Sequence, residues 1–141
     1  MWEQLYDILC WAIPSTEFKH MNWGYASLTT NGVIIKNLAP EDENDRFSIQ
    51  LYHYMATGTL LYNIGYLKEI AMGSWNNLES KTLVEVSSGR GGGLDYLSRY
   101  LNPKKCIGVD LSTVQIDYCQ KVYGGNQKLM FVNVRIMREK E

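Results

Sequence analysis

Residues 82–110 read TLVEVSSGRGGGLDYLSRYLNPKKCIGVD. The first five, Thr82 to Val86, are a short β-branched run and predict a strand. Ser87-Ser88-Gly89-Arg90-Gly91-Gly92-Gly93 follows as a glycine-rich turn. Leu94 to Leu101 reads as a helix that Asn102-Pro103 stops. Cys106 to Val109 predicts a second strand, closed by Asp110. Downstream, Ser112 or Thr113 can cap a helix with Ile116, Cys119 and Val122 on one face. Gly124-Gly125-Asn126 ends that helix, and Leu129 to Val132 reads as a third strand. The tail from Arg135 to Glu141 is mostly charged. Strand, helix, strand, helix, strand predicts an α/β fold with a parallel sheet and right-handed crossovers.

Upstream of residue 82 the texture is helical. Trp2, Leu5, Tyr6, Leu9 and Ile13 recur at three- and four-residue spacing, and Pro14 stops that helix. Asn22-Trp23-Gly24-Tyr25 and Asn31-Gly32 are turn signals, the second followed by the β-prone run Val33-Ile34-Ile35. Pro40-Glu41-Asp42-Glu43 suits the opening of a helix, with proline in the first turn and acids at the positive end. Its buried face is predicted as Phe47, Leu51, Tyr54 and Met55. Gly58 is read as a break, and 59–72 as a further helix before the Gly73-Ser74 and Asn76-Asn77 loop. The division is therefore a helical lead-in or cap over 1–81, a partial cofactor-binding unit over 82–134 and a charged tail over 135–141. Glu41, Asp42, Glu43 and Asp45 resemble a metal cluster on paper, but a solvated first helical turn explains them. His53, between Tyr52 and Tyr54, reads as a partly buried structural histidine, and His20 as a loop residue. The tryptophans Trp2, Trp11, Trp23 and Trp75 read as packing residues.

The whole composition bounds the function. The chain has 141 residues, 45% hydrophobic and 21% charged, which fits one globular domain. Fourteen basic against fifteen acidic residues leave a net charge of -1, so charge gives no argument for nucleic acid or an anionic membrane. Cys10, Cys106 and Cys119 form no C-x-x-C pair, which predicts neither a disulfide framework nor a zinc site. No run approaches a membrane span. MWEQLYDILCWAIP lacks a basic leading region and reads as no signal peptide. The expectation is an intracellular, cytoplasmic protein.

The glycine turn carries the chemistry. Glycines let a backbone approach a ligand closely, and the free N–H groups of the following helix face it. Asp110 ends the next strand 21 residues after Gly89, where an acid can accept the ribose hydroxyls of an adenosine. The unit is thus Rossmann-like, with an adenosine-cofactor site at the carboxyl edge of its sheet. A Walker loop needs Gly-Lys-Ser/Thr, which is absent. A dinucleotide fingerprint needs a third glycine where Leu94 stands, which disfavours a nicotinamide enzyme. The remaining class has an acid four residues before the first glycine, and Glu85-x-Ser87-x-Gly89-x-Gly91 has that spacing.

"LVEVSSGRGGGLDYLSRYL" followed by "CIGVDLS" resembles motif I and the second-strand acid of class I S-adenosylmethionine-dependent methyltransferases. "MNWGYA" and "EDENDRFSIQLYHYMA" are similar to the lead-in of the phthiotriolone-type lipid O-methyltransferase subgroup. The likeness runs over about residues 20–133, with an insertion near 57–77. It implies S-adenosyl-L-methionine as cofactor and methyl transfer to a small-molecule or lipid acceptor, with an oxygen as one nucleophile. By the resemblance, Gly89, Gly91 and the loop around Ser87 border the methionine part of the cofactor. Glu85 fixes the loop or the amino group, Asp110 the ribose, and Leu111 packs on the adenine. Tyr25 and Tyr52 would close over it. No catalytic residue is implied. Two departures stand out: Ser87 where many such enzymes have glycine, and Val134-Arg135 where an acid should hold the adenine amino group. The 59 residues after Thr82 leave room for three strands, fewer than the family's sheet. The expectation is a C-terminally truncated form whose first strand is a bare edge. That edge would self-associate or take a protein partner, and a non-catalytic structural subunit is the alternative function.

Overall fold

The computed structural model describes residues 19–26, 35–57 and 78–134, with positions 5, 7, 8, 12, 28 and 32. Of the predicted helix over 2–12, Leu5, Asp7, Ile8 and Ala12 are described and helical; its other residues, the predicted helix over 59–72, the Val33-Ile34 run, Gly58 and the tail from Arg135 lie outside this set. So do Cys10, Trp2, Trp11 and Trp75.

A 3-10 turn over Pro40–Asp45 leads into α1, Arg46–Ala56. After it come β1 (Thr82–Val86), α2 (Gly92–Tyr100), β2 (Lys105–Asp110), α3 (Thr113–Tyr123) and β3 (Leu129–Asn133). The sheet is parallel in the order β1-β2-β3, with Glu85 opposite Gly108 and Asp110 opposite Asn133. Parallel strands need a crossover, and α2 and α3 supply the two. The alternation expected of this stretch is therefore present, and β1 lies at an edge.

Helix boundaries follow local chemistry. Ser112 caps α3, its Oγ accepting the Gln115 N–H at 3.3 Å. Helix α2 begins at Gly92, two residues before the predicted start, because Gly91 takes the left-handed conformation at the N-cap with φ 73°. The proline-acid run forms a 3-10 turn rather than the first turn of an α-helix.

The core joins Leu94, Tyr96 and Leu97 of α2 with Cys106, Ile116, Cys119, Phe131 and Ile49. Each large apolar side chain buried this way contributes roughly 1.5–3 kcal/mol. Leu94, where a dinucleotide fingerprint would have glycine, is a core residue. The predicted buried face of α1 needs correction. Ile49, Gln50 and Tyr54 are buried, whereas Phe47 and Met55 are more than half exposed. Gln50 is drawn inward because its Nε2 donates to the Tyr25 and Gly32 carbonyls, both at 2.8 Å. That ties α1 to the lead-in and rotates its apolar face toward α2, on which it packs.

The acidic turn is corrected too. Asp42 is 0% exposed rather than solvated. Arg99 of α2 donates to it from both terminal nitrogens, at 2.7 and 3.0 Å, and the Tyr100 hydroxyl donates at 2.7 Å. Burial works to raise the Asp42 pKa, but these bonds hold it down at about 2. The clamp docks the lead-in on the sheet unit. Trp23, read as a packing residue, is fully exposed. Its neighbours explain this: the Gly24 N–H donates to Asn22 Oδ1 at 2.7 Å, and the tight turn so closed leaves Trp23 at its exposed tip.

Candidate cofactor site

The loop after β1 is built by handedness. Ser87, Gly89 and Gly91 have φ values of 59°, 51° and 73°. Every second residue is left-handed, a conformation that costs an L side chain roughly 1–2 kcal/mol. Ser87 therefore stands at a position with a physical demand for glycine. Gly91 has a second reason. A Cβ there would lie 2.7 Å from the Phe131 ring and 3.1 Å from Cys119 Sγ.

Asp110 locks this loop. Its Oδ2 accepts the Gly89 N–H at 2.8 Å and its Oδ1 accepts the Ser112 N–H at 2.9 Å. One carboxylate thus joins the glycine loop to the start of α3 across the carboxyl ends of β1 and β2. The Cys119 thiol adds a bond to the Gly89 carbonyl at 3.3 Å. Burial pushes that thiol up to about 12, so it stays a neutral donor. Leu111, next to Asp110, is about half exposed and presents apolar surface beside the acid. Asn133 donates to the Asp110 and Leu111 carbonyls, at 3.1 and 2.8 Å, and so holds this corner from β3.

Glu85 lies on β1 beneath the loop. Its Oε2 is buried without a hydrogen-bond partner, as is Ser88 Oγ. Burial pushes the Glu85 carboxyl up to about 7; Tyr52, bonded to it, works the other way, and Asp110 adds to the rise. A half-buried acid whose Oε2 is buried and unbonded, beside a glycine cradle, suits a cationic amino group. Beside it, a cleft of about 490 Å³ is lined by Tyr52, Met55, Val84, Glu85, Val86 and Leu94 among others.

The candidate residues Glu85, Ser87, Gly89, Gly91, Asp110 and Leu111 therefore converge on one corner. Of the two tyrosines expected to close over the site, Tyr52 reaches it. Tyr25 instead stacks on Tyr54, with centroids 4.4 Å apart. Val134 donates its N–H to the Asp110 carbonyl at 3.0 Å, and Arg135 lies outside the described residues. His53 is the structural histidine expected, its Nδ1 2.7 Å from the Tyr96 hydroxyl. Sequence reasoning missed Gly92 and Gly93. A Cβ on Gly93 would fall 2.0 Å from the Tyr52 ring, and one on Gly92 2.4 Å from the Lys19 carbonyl oxygen. The signal was the surplus: a ligand loop explains Gly89 and Gly91, and two further glycines needed another occupant. Among the described residues no His, Cys, Asp and Glu cluster could hold a metal, and no helix is long and apolar enough to cross a membrane.

No protein-family model matches the chain. Over 121 residues it is 31% identical to the phthiotriol/phenolphthiotriol dimycocerosates methyltransferase of Mycobacterium leprae, covering 86% of this chain and 37% of that one. Over 101 residues it is 32% identical to the fatty-acid O-methyltransferase of Mycolicibacterium smegmatis, covering 72% and 30%. The chain thus spans about a third of the length of these relatives. Among solved structures it is similar to a sarcosine dimethylglycine methyltransferase from Galdieria sulphuraria, with a TM-score of 0.53 and 12% identity over 94% of this chain and 41% of that one. The [4+2]-cyclase SpnF gives 0.56 and 14% over the same shares. These two carry different activities by name, so their likeness speaks to architecture alone. In sequence the chain is similar to mycobacterial phthiotriol-type and fatty-acid methyltransferases over about a third of their length, and in architecture it shares the fold of the two solved proteins.

Proposed function

We propose that the chain binds S-adenosyl-L-methionine at the Glu85–Asp110 corner and serves methyl transfer to a lipid or small-molecule acceptor, with an oxygen as the receiving atom. The observation that carries the reading is the Asp110 carboxylate bonded to Gly89 N–H at 2.8 Å, across the ends of two adjacent parallel strands. Ligands of open α/β sheets sit at that edge. The orphaned Glu85 Oε2 and Ser88 Oγ fit the polar amino-acid end of such a cofactor. The names of the mycobacterial relatives support the reaction class and an apolar acceptor.

The cofactor supplies an electrophilic methyl group on a sulfonium. The chain's residues then bind and orient. Glu85 receives the amino group and is held ionised by it. The Ser87–Gly91 backbone borders the methionine portion, Asp110 takes the ribose hydroxyls, and Leu111 covers the adenine. Alignment of the acceptor oxygen with the methyl group is the main contribution a protein makes to such a displacement. In this reading residues 1–81 are a cap, docked through Asp42 and Arg99, over a cofactor unit at 82–134. A cytoplasmic setting agrees with Cys106 and Cys119, both free and buried.

A second reading rests on β1. Among the described residues it has one strand neighbour, and Val84 and Val86 are 61% and 70% exposed. Such an edge pairs readily with another strand, from a second copy or a partner, and supports a structural subunit as the alternative.

The test is calorimetry with S-adenosylhomocysteine on the parent, Asp110→Asn and Glu85→Gln. The reading expects each variant to lose about tenfold or more in affinity, the usual scale for a charge-assisted bond. Equal affinity in Asp110→Asn would remove the assignment of the ribose site.

A further inference from the structure

Residues 19–22 cross the glycine loop as a strap. The Lys19 carbonyl lies over Gly92, and Met21 Sδ would be 3.0 Å from a Cβ on Gly89. Both ends of the strap are tied down. Lys19 Nζ is 3.4 Å from Asp42 and 3.6 Å from Asp95. Asn22 Nδ2 donates to the Ser48 carbonyl at 3.2 Å.

His20 stands between these anchors. Its side chain is 1% exposed, and its ring reaches the Gly92 backbone of the glycine loop. Asp45 Oδ2 is 3.5 Å from Nδ1, and the Tyr52 ring centroid lies 6.0 Å away. A buried imidazole that bonds the Gly92 backbone acts on the glycine loop directly, which an apolar side chain of equal size cannot do. The ring therefore does more than fill space. Its neighbours Lys19 and Tyr52 each contact one of the two glycines that no ligand loop requires.

We propose that His20 is a positioning residue: its buried ring wedges the 19–22 strap and Tyr52 against Gly89–Gly93 and so holds the loop amides in ligand-receiving geometry. The role rests on the reading of that loop as the cofactor site, but acts on the loop even without a ligand. The charged and titratable groups around the ring are Lys19 on the strap, Asp42 and Asp45 on the 3-10 turn, and Tyr52 on α1, with Asp95 of α2 reached through Lys19. Burial lowers the His20 pKa below 6.5, against the pull of Asp45. A histidine whose folded value is depressed stabilises the closed strap above 6.5 and loses that effect as pH falls through the folded value. Acidification then loosens the loop.

The experiment follows both histidine rings of the full chain by NMR over pH 4–8, with and without S-adenosylhomocysteine. It adds amide exchange of Gly89–Gly93 in the parent and in His20→Gln. His20→Gln assigns the ring signals. The expected result is an imidazole that titrates below 6.5 and lower still with ligand. Loop exchange should speed about tenfold in His20→Gln, while β2 amides stay protected. A His20 ring that titrates at 6.5 or above, or unchanged loop exchange in a folded His20→Gln, overturns the inference. Faster loop exchange in His20→Gln, together with a parent that binds no S-adenosylhomocysteine, upholds the wedge and overturns the methyl-donor reading instead.

Discussion

Glu85 and Ser87 show how the site strains its own residues. Glu85 has a folded pKa raised to about 7 from an ordinary 4.5. A raised value means the folded state holds its proton more tightly, so this group's contribution to stability is full below 4.5 and is lost as pH rises through 7. Glu85→Gln should therefore stabilise the chain more at pH 8 than at pH 5, by about 2 kcal/mol of difference, read from thermal melts at the two pH values. A gain that does not depend on pH would contradict the buried-acid account. Ser87, at φ 59°, pays for lacking glycine's freedom. Ser87→Gly should raise stability by about 0.5–1 kcal/mol, the left-handed penalty less the extra freedom of an unfolded glycine. Denaturant titration measures it, and a loss would mean that the serine hydroxyl carries a bond. The motif residues were legible in the sequence because their spacing is local. Gly92 and Gly93 were visible but unexplained, since what they accommodate, Lys19 and Tyr52, comes from far away in the chain.

Elements differ in how they are held. Helix α2 joins the lead-in through Arg99 and Tyr100, which converge on the fully buried Asp42. Asp42→Ala would leave a guanidinium and a phenol without their acceptor, and should cost about 2–4 kcal/mol in denaturant unfolding. Because the Asp42 pKa is depressed to about 2, its contribution is present above 3.8 and fades as pH falls toward 2. The sequence showed an acid-rich turn and an arginine nearly sixty residues later. Nothing local says that the two meet, and so the turn read as solvated. The same blindness rotated α1: periodicity placed Phe47 and Met55 inside, but Gln50 is fixed by carbonyls of a loop that no helical pattern foresees. Strand β1 is the opposite case. Its edge position followed from counting strands, and its exposed valines bear on association. Val84→Lys should weaken self-association of the 141-residue chain in sedimentation velocity, as charged edges do. A parent that sediments as a monomer at all concentrations would contradict the open-edge reading.

At the scale of the molecule, the described residues join a three-stranded parallel unit, which presents a glycine loop and an acid at one edge, to residues 19–57, which reach over that loop. The order of elements from Thr82 onward was readable because strand, turn and cap signals follow one another within a few residues. The way 19–57 packs was not, because it is set by contacts between distant segments. The account's central claim is that this edge holds an adenosine-bearing sulfonium cofactor. The most direct measurement is calorimetric titration of the folded 141-residue chain with S-adenosylhomocysteine, with NADH as the control. Binding with a Kd of about 1–100 μM, and no heat from NADH, is the predicted result. A folded chain that gives no heat with S-adenosylhomocysteine, or that prefers NADH, would contradict it.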